Sequence, residues 1–281
     1  MCDKRKKAVC SYYGSDDYDA QSSWIHSTDK VQNIISLCNK FPHENILEIG
    51  CGDGAVLVRL REKKFGKNLR AVDICNTAID KARTRTESRN IKSGLEFKVF
   101  KENKDISDLT LKFLTSITEK HEVNKFNLAI LTHIIEHVEN PRELLCEAGK
   151  VAQYVFVEVP LEDTLQLKKA SYYDDDYSEY DDYEPDDDGF EEHVNIYSYN
   201  SIRWLIQSCG FIIIGHKVTI PSFEVYKLRF GEQRTDLEYK PAKLALQMND
   251  RMAASFFDCY ISSILCKQEP ELCNCKSKSV N

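Results

Sequence analysis

This 281-residue sequence contains no long apolar run and no two cysteines at Cys-x-x-Cys spacing. No run approaches the roughly 18 apolar residues that cross a bilayer, and residues 1–10 are charged rather than signal-like. We therefore expect no membrane span and a cytoplasmic protein. Without an export signal, we expect the 11 cysteines to be reduced thiols, and because they include no Cys-x-x-Cys pair, we expect no structural zinc site.

Basic residues are missing from one segment. Residues 171–192 hold twelve Asp or Glu and no Lys or Arg, and they account for the net charge of −7. Without these acids the chain would carry +5, so its overall acidity does not argue against an anionic substrate. Like charges at this density are costly to pack, which predicts a solvated insertion. Binding of a cationic substrate or a basic partner is the alternative role of this segment.

Glycine is sparse, but three of the 11 glycines stand at alternate positions: Gly50, Gly52 and Gly54. The apolar residues just before them predict a buried strand, and Ala55–Leu60 begin a helical pattern. Glycines allow close approach of the backbone to a ligand, and a helix start offers N–H donors. This strand–loop–helix unit therefore predicts a binding site for a polar ligand.

The acid before the glycines decides which ligand is favoured. Gly50-x-Gly52-x-x-Ala55 with Asp73 satisfies a loose dinucleotide pattern. However, Glu48 and Gly54 extend it to Glu-x-Gly-x-Gly-x-Gly, which resembles the first motif of class I S-adenosylmethionine-dependent methyltransferases. A carboxylate suits the ammonium and sulfonium charges of that cofactor and is unfavourable beside a pyrophosphate. Nucleotide binding and an ordinary glycine turn are the weaker alternatives.

This resemblance implies a fold, a cofactor and a set of binding residues. The fold is α/β and Rossmann-like, with seven mostly parallel strands in the order 3-2-1-4-5-7-6, an antiparallel last strand and helices on both faces. The cofactor is S-adenosyl-L-methionine. In the family pattern Asp73 accepts the ribose hydroxyls, Ile74 packs on the adenine, and Asp105 meets the adenine amine. The remaining cofactor-binding residues are expected to be Glu48, Gly50, Cys51, Gly52, Gly54 and Thr132.

The predicted domain organisation is simple. We expect a flexible arm over 1–23, a methyltransferase domain over 24–267 and a tail over 268–281. Two insertions interrupt the domain, the acidic segment 171–192 and a partly helical segment 220–253. A first helix is expected to begin at a Thr28-Asp29 cap, and the last strand to run over 255–266. Trp24, just before that helix, is expected to pack in the core, with a role in a lid as the alternative.

Histidines and an acid follow the fourth predicted strand, where catalysis occurs in an open parallel sheet. The residues are Thr132-His133-Ile134-Ile135-Glu136-His137. The Glu-His-Val part, with the later Asn-Pro, is similar to many small-molecule and quinone-type methyltransferases. A histidine near its usual pKa of about 6.5 suits removal of a proton from the acceptor. We therefore expect His133, His137 and Glu136 to be catalytic, and Glu136 and His137 could equally hold the turn.

Metal binding is the competing interpretation of the same residues. His133-x-x-Glu136-His137 matches an inverted zinc-peptidase pattern, which the glycine-loop context disfavours. Small-RNA 2′-O-methyltransferases, which this stretch resembles more weakly, use Glu-x-x-Glu-His and a later histidine. That resemblance implies Glu136, His137 and His193 as ligands. His133 replaces the first Glu, which favours a softer metal. The acidic segment beside His193 suits RNA poorly.

The sequence thus predicts an enzyme that transfers a methyl group from S-adenosylmethionine to an oxygen or nitrogen of a small molecule. The first alternative is a metal-dependent RNA 2′-O-methyltransferase, with nucleic acid as the less favoured partner. The second is a catalytically degenerate subunit that binds the cofactor and assists a partner protein.

Overall fold

The structure of the protein is a computed structural model, which describes residues 7, 10–16, 18–99, 126–164 and 193–269. Asp105 and the acidic segment 171–192 lie outside these residues, as does nearly all of the predicted tail. Among the described helices, none is long and apolar enough to cross a membrane.

One seven-stranded sheet organises the described chain, with the order β3-β2-β1-β4-β5-β7-β6. All neighbouring pairs are parallel except those of β7, which runs antiparallel to β5 and to β6. The predicted strand order and the antiparallel last strand are therefore confirmed. The strands are β1 Asn45–Ile49, β2 Asn68–Asp73, β3 Leu95–Val99, β4 Phe126–Thr132, β5 Ala152–Leu161, β6 Phe211–Thr219 and β7 Tyr260–Gln268.

Helices cover both faces of the sheet. They are α1 Ala20–Cys38, α2 Ala55–Glu62, α3 Asn76–Ser88, α4 Pro141–Val151, α5 Tyr199–Ser208, α6 Phe223–Met248 and α7 Asp250–Phe256. Successive strand residues point to opposite faces. Accordingly Ile46 of β1 packs in the core cluster that contains α1 and α2 residues, whereas Leu47 packs in the cluster that contains α4 and α5 residues.

The same alternation places polar side chains under α1. Glu48 shares the face of Ile46, Thr132 shares that of Ile130, and Glu158 shares that of Phe156, and all three apolar neighbours belong to the core cluster of α1 and α2. These polar residues lie at or near the carboxyl ends of β1, β4 and β5. A site between the strand ends and α1 follows from this register.

The first helix begins earlier than expected. Asp19 caps α1 by accepting a 2.8 Å hydrogen bond from the N–H of Gln21, so Thr28 and Asp29 lie inside the helix. Asp29 instead accepts a 2.7 Å hydrogen bond from the N–H of Ser222. Trp24 is part of α1 and packs against the core cluster of α1 and α2, as the core interpretation predicted.

Two further boundaries differ from the expectations. The last strand begins at Tyr260, because Asn249 caps a separate helix, α7, through a 2.9 Å hydrogen bond from the N–H of Met252. The insertion 220–253 is almost wholly helical, and α6 is interrupted at Gly231, whose φ is 78°. Among the cysteines that the structure describes, Cys146 is disulfide-bonded, contrary to the expectation of thiols only, and the other seven are free.

Candidate active site

The glycine loop between β1 and α2 has a backbone that only glycine adopts readily. Gly50, Gly52 and Gly54 have φ values of 73°, 52° and 72°, in the left-handed region. A Cβ on Gly54 would lie 2.7 Å from the Phe97 ring and 2.8 Å from Cβ of Ala82. Gly54 is therefore required for packing of the loop onto the core, whereas Gly50 and Gly52 face the cavity described next.

A cavity of about 180 Å³ lies between this loop, the end of β4 and α1. The loop, the start of α2 and the strand ends contribute one group of lining residues: Glu48, Gly50, Cys51, Gly52, Asp53, Ala55, Val56, Thr132 and His133. The N-terminal segments contribute a second group: Tyr13, Ser23, His26, Ser27 and Lys30. The lining is mostly polar, so the cavity suits a polar or charged ligand.

Among the residues that line the cavity, Glu48 has a buried side-chain oxygen without a hydrogen-bond partner. Its side chain is 1% exposed, and Oε2 has no hydrogen-bond partner. The pKa of Glu48 is raised to about 8, chiefly by burial; the charge of Lys30 lowers it, and the charges of Asp53 and Asp73 raise it. A buried carboxyl without a partner is costly to ionise unless a cation approaches it. The cavity therefore favours a ligand that carries positive charge near Glu48.

Asp73 lies behind the loop and fixes it. Its Oδ2 accepts a 2.8 Å hydrogen bond from the N–H of Gly52, and its Oδ1 accepts a 2.9 Å bond from the N–H of Cys75. Burial raises the pKa of Asp73, and these backbone donors oppose the rise. Each carboxylate oxygen has a second lone pair for a ligand hydroxyl.

The described part of the segment 1–23 packs on the loop. Tyr18 donates a hydrogen bond to Asp53, which also pairs with Arg85. Tyr13 lines the cavity, and its hydroxyl covers Gly52 so closely that a Cβ there would collide with it. Burial and the charges of Asp73 and Asp53 raise the pKa of Tyr13. This segment thus covers the Asp73 end of the cavity.

One face of α1 forms a second wall that the sequence analysis missed. Ser23, His26, Ser27 and Lys30 follow the i, i+3, i+4, i+7 spacing of a single helix face, and all four line the cavity. The spacing was visible in the sequence, but the misplaced helix start at Thr28-Asp29 concealed it. Burial lowers the pKa of His26 to about 4, and the charge of Lys30 contributes, so His26 is neutral at physiological pH.

His133 lies between two buried carboxylates. Its Nδ1 is 3.4 Å from Oε1 of Glu136, and its Nε2 is 3.7 Å from Oε1 of Glu158. The residue has a left-handed φ of 53°, and its N–H donates a 2.9 Å hydrogen bond to the carbonyl of Glu158. It belongs to a turn, so His133 and His137 do not share a helix face as the zinc-peptidase alternative requires.

Glu158 was also missed by the sequence analysis. It is 1% exposed, and its Oε2 accepts hydrogen bonds from Asn33 at 3.0 Å and from Ser263 at 2.7 Å. Burial opposes ionisation of Glu158, but His133 and Ser263 outweigh it, so the pKa of Glu158 is lowered. These donors belong to α1 and β7, which are far from Glu158 in the sequence. A local sequence pattern therefore could not show that Glu158 belongs to the site.

A separate cluster lies beside the cavity. Glu136, His137 and His193 each offer a ligand atom, and these atoms lie within 4.8 Å of one another. Glu136 is fully buried, and its nearest charged neighbour is Nδ1 of His133, 3.4 Å from Oε1; burial opposes ionisation of Glu136, but His133 and His137 outweigh it, so its pKa is lowered. Asn195 brings the two segments together, because its Nδ2 donates to the carbonyls of Ile135 and Val138 at 3.2 and 2.7 Å. His193 also contacts Glu162 at 2.5 Å.

The structure therefore brings together part of the predicted site. Glu48, Gly50, Cys51, Gly52, Thr132 and His133 line the cavity. Gly54 and Asp73 support the loop from behind, and Ile74 follows Asp73, partly buried against the core. Glu136 and His137 are not in the lining and cluster with His193 instead. Asp105 lies outside the described residues.

Comparison with protein families matches residues 8–215, about three quarters of the chain, to the family described as "Methyltransferase domain". The chain belongs to this methyltransferase family. Membership agrees with the glycine loop, with the strand order and with the expected cofactor, S-adenosyl-L-methionine.

Solved structures share the fold of this methyltransferase across nearly its whole length. Magnesium protoporphyrin IX methyltransferase from Synechocystis PCC 6803, with bound S-adenosylhomocysteine (SAH), superposes with a TM-score of 0.53 and 13% identity, covering 95% of this chain and 94% of that one. The N-methyltransferase NodS from Bradyrhizobium japonicum WM9, also with SAH, gives 0.54 and 11%, covering 94% and 98%. At these identities the likeness concerns the fold alone.

The methyltransferase also matches a curated protein in part. Ubiquinone biosynthesis O-methyltransferase of Rickettsia bellii is 28% identical over 121 residues, which are 43% of this chain. The match spans 42% of that relative's length, so it does not extend to the whole of either protein.

Proposed function

We propose that this methyltransferase transfers the methyl group of S-adenosylmethionine to an oxygen or nitrogen atom of a small molecule. The observation that carries the proposal is Glu48, a buried carboxyl with an unpartnered oxygen in a cavity beside the glycine loop. The ammonium group of the cofactor supplies a positively charged donor for this oxygen, which has no hydrogen-bond partner of its own. The partial match to an O-methyltransferase supports a small-molecule acceptor.

The cofactor is expected to lie along the glycine loop. Gly50 and Gly52 admit it to the backbone, and Glu48 faces its ammonium group. Asp73, already bonded to the N–H of Gly52, accepts the ribose hydroxyls with its remaining lone pairs. Tyr13 covers that end of the cavity, so we expect its phenol to move aside or to pack on the bound nucleoside.

Methyl transfer requires that the acceptor atom be aligned with the methyl carbon and that the acceptor lose one proton. The acceptor atom attacks the methyl carbon, the bond from carbon to the sulfonium sulfur breaks, and SAH leaves with the electron pair. His133 lines the cavity at the end of β4, so it is placed to take the acceptor proton. Glu158, held by Asn33 and Ser263, lies 3.7 Å from Nε2 of His133, on the opposite side of the ring from Glu136, so its charge would stabilise the imidazolium that forms when Nε2 takes the proton.

Metal-assisted methylation is the second candidate, favoured by one observation. A carboxylate oxygen of buried Glu136 lies close to ligand atoms of His137 and His193. One carboxylate and two imidazoles form a donor set that divalent transition metals accept. These residues would hold the ion, and the ion would lower the pKa of an acceptor hydroxyl. RNA 2′-O-methylation is one activity of this kind, as the sequence resemblance suggested.

Calorimetric titration with S-adenosylmethionine tests the first proposal. We expect saturable binding by the wild type and a loss of at least about tenfold in affinity for Glu48→Gln, because an uncharged side chain does not attract the ammonium. A panel of phenols, catechols and amines with labelled methyl donor then identifies the acceptor. Binding of NAD in place of S-adenosylmethionine would contradict the proposal. Binding without transfer to any acceptor would favour the degenerate partner subunit.

Titration with Zn²⁺ or Mn²⁺ tests the second candidate. We expect one ion per chain and its loss in His193→Ala. Lys40→Met, an exposed substitution after α1, is the matched control. Unchanged methyl transfer after treatment with a chelator would show that the ion is not required.

A further inference from the structure

The part of α6 that follows Gly231 has apolar residues on two opposite sides. One side faces the protein, and its residues are buried or pack on the core at the spacing of a single helix face: Thr235, Tyr239, Ala242 and Leu246. The opposite side carries Leu237, Leu244 and Met248, which are 69%, 59% and 80% exposed. These three residues are spaced i, i+7 and i+11, so they form one stripe along the helix, which we call the outer stripe. An outward apolar stripe of this kind indicates contact with another molecule.

The charges beside the outer stripe change sign along the helix. Asp236 lies at its N-terminal end, whereas Lys240 and Lys243 lie in its C-terminal half. Asp236 and Lys243 are seven residues apart, close to two helical turns, so they lie on the same side of the stripe. All three side chains are exposed, and no ion pair among the described residues involves their charged groups. Their charges therefore face solvent beside an apolar surface.

An antiparallel pair of α6 helices would cover the stripe and match these charges. We consider two copies related by a two-fold axis that passes near residue 240. With a rise of about 1.5 Å per residue, this axis brings Leu237 of one copy beside Leu244 of the second copy. The same register brings Asp236 of one copy beside Lys243 of the second copy. Because the axis repeats every contact, the two outer stripes cover each other and two attractive charge pairs lie beside them.

The change of sign favours a second copy over other occupants of the stripe. An anionic lipid surface would attract Lys240 and Lys243 but would repel Asp236 at the other end of the same stripe. We propose that α6 is the interface of a two-fold symmetric homodimer, in which the outer stripes of two copies pack antiparallel. The inference goes beyond the proposed function, since the outer stripe has no residue in the lining of the cavity.

Sedimentation velocity of the full chain at about 1 to 100 μM, a range suited to a small interface, tests the apolar part of the proposal. We expect the wild type to form a dimer as its concentration rises. Leu244→Asp should weaken the dimer at least about tenfold, because it places a charge against Leu237 of the second copy. Ile196→Asp is the matched control, since Ile196 is also 59% exposed but precedes α5, and it should dimerise like the wild type.

Exchange of the two charges tests the antiparallel arrangement. Asp236→Lys and Lys243→Glu each place like charges opposite one another in a homodimer, so each should dimerise roughly tenfold more weakly. The double variant Asp236→Lys/Lys243→Glu restores opposite charges and should dimerise like the wild type. An equimolar mixture of the two single variants should form heterodimers, because each chain then offers the charge that the other lacks.

Several results would overturn the inference. They are a wild type that stays monomeric over the whole range, and a dimer that Leu244→Asp leaves intact. Dissociation by Leu244→Asp with no effect of either charge variant would refute the antiparallel arrangement. Binding of a monomeric wild type to phosphatidylglycerol vesicles, lost in Leu244→Asp, would assign the stripe to a lipid surface instead.

Two measurements accompany each variant. Urea unfolding reports whether the chain folds, and if Leu244→Asp does not fold, the mixture of Asp236→Lys and Lys243→Glu provides the test. Titration with S-adenosylmethionine should give wild-type affinity in every folded variant, because the substituted residues lie outside the cavity lining. Failure of the wild type to bind the cofactor would refute the proposed function and leave the dimer untouched.

Discussion

The N–H of Gly52 donates a 2.8 Å hydrogen bond to Oδ2 of Asp73, which joins the glycine loop directly to the end of β2. The other oxygen of the same carboxylate holds the N–H of Cys75 at 2.9 Å. Asp73 therefore has a structural role in the empty protein, and a cofactor would share a carboxylate that is already fixed in place.

Replacement of Asp73 should affect both stability and binding. Asp73→Ala leaves two backbone donors without this acceptor, so we expect a loss of about 2–4 kcal/mol in the free energy of unfolding. Asp73→Asn keeps one acceptor oxygen and should lose less. Both variants should bind S-adenosylmethionine at least about tenfold more weakly. Urea unfolding and calorimetry measure the two effects, with Asp80→Ala, an exposed acid of α3, as the control. A fully stable Asp73→Ala would contradict the structural role.

Gly54 should tolerate no side chain. In Gly54→Ala the new Cβ collides with Phe97 and Ala82, and the φ of 72° is strained for alanine, so we expect a loss of about 2–4 kcal/mol. Gly14→Ala is the matched control, because a Cβ there meets nothing within 4 Å. Thermal or urea unfolding compares the two variants. Equal stability of the two would show that the loop is not packed on α3 and β3 as described.

The raised pKa of Glu48 predicts that the free energy of unfolding, measured without cofactor, depends on pH. In the unfolded chain this carboxyl ionises near its usual value of 4.5, whereas in the folded protein it does so at about 8. The folded state therefore binds more protons between these values, and stability falls as the pH rises, by up to about 1.4 kcal/mol per pH unit. Glu48→Gln removes this term, so its stability relative to wild type should increase from pH 5.5 to 7.5. A constant difference in urea unfolding over that range would contradict the prediction.

The same group should release a proton when the cofactor binds. Below pH 8 Glu48 is largely protonated before the cofactor binds, and the approaching ammonium and sulfonium charges favour its ionised form. Affinity for S-adenosylmethionine should therefore rise with pH between about 6 and 7.5. Calorimetry at pH 7 in two buffers with different ionisation enthalpies counts the released protons. Glu48→Gln should release fewer, and an unchanged count would refute the assignment to Glu48.

Arg59 should be required for docking of α1. Its guanidinium lies 3.7 Å from the centroid of the Trp24 ring and donates hydrogen bonds to the Trp24 carbonyl and to Ser27. We expect Arg59→Ala to lose about 2 kcal/mol in stability and to weaken cofactor binding, because α1 carries the cavity wall. Arg61→Ala, a half-buried position of the same helix whose guanidinium bonds to the carbonyl of Lys67 rather than to α1, should lose less than about 1 kcal/mol and leave cofactor binding unchanged. Intact stability of Arg59→Ala would show that α1 docks through apolar contacts alone.

Much of the candidate site could be anticipated because its signals are local. The apolar run before Gly50 encodes β1, the glycines encode a left-handed loop, and Pro141 with the Asn140 cap encodes the start of α4. The predicted cofactor-binding residues in this loop all face or support the cavity. Helix starts were harder, because Asp19 and Asp29 are both acceptable caps by composition, and only the packing of Trp24 against the core selects the longer helix.

The residues that the sequence analysis missed owe their roles to contacts between distant segments. Glu158 is fixed by Asn33 and Ser263, which are 125 and 105 residues away in the chain. Lys30 reaches the cavity only because α1 lies across the ends of β1 and β5. His137 meets His193 because Asn195 fastens the second segment to the turn after β4.

The strand order was expected from the family resemblance, and the sequence by itself determined the glycine loop and the acids that flank it. Those features depend on backbone conformation and on the alternation of side chains within a few residues. The tertiary structure alone decided which polar groups share the cavity, since Tyr13, Lys30 and Glu158 come from elements with no local relation to the loop. Burial in the folded protein also changes the pKa of such groups: the carboxyl of Glu48 acquires its raised pKa only when folding removes the water around it.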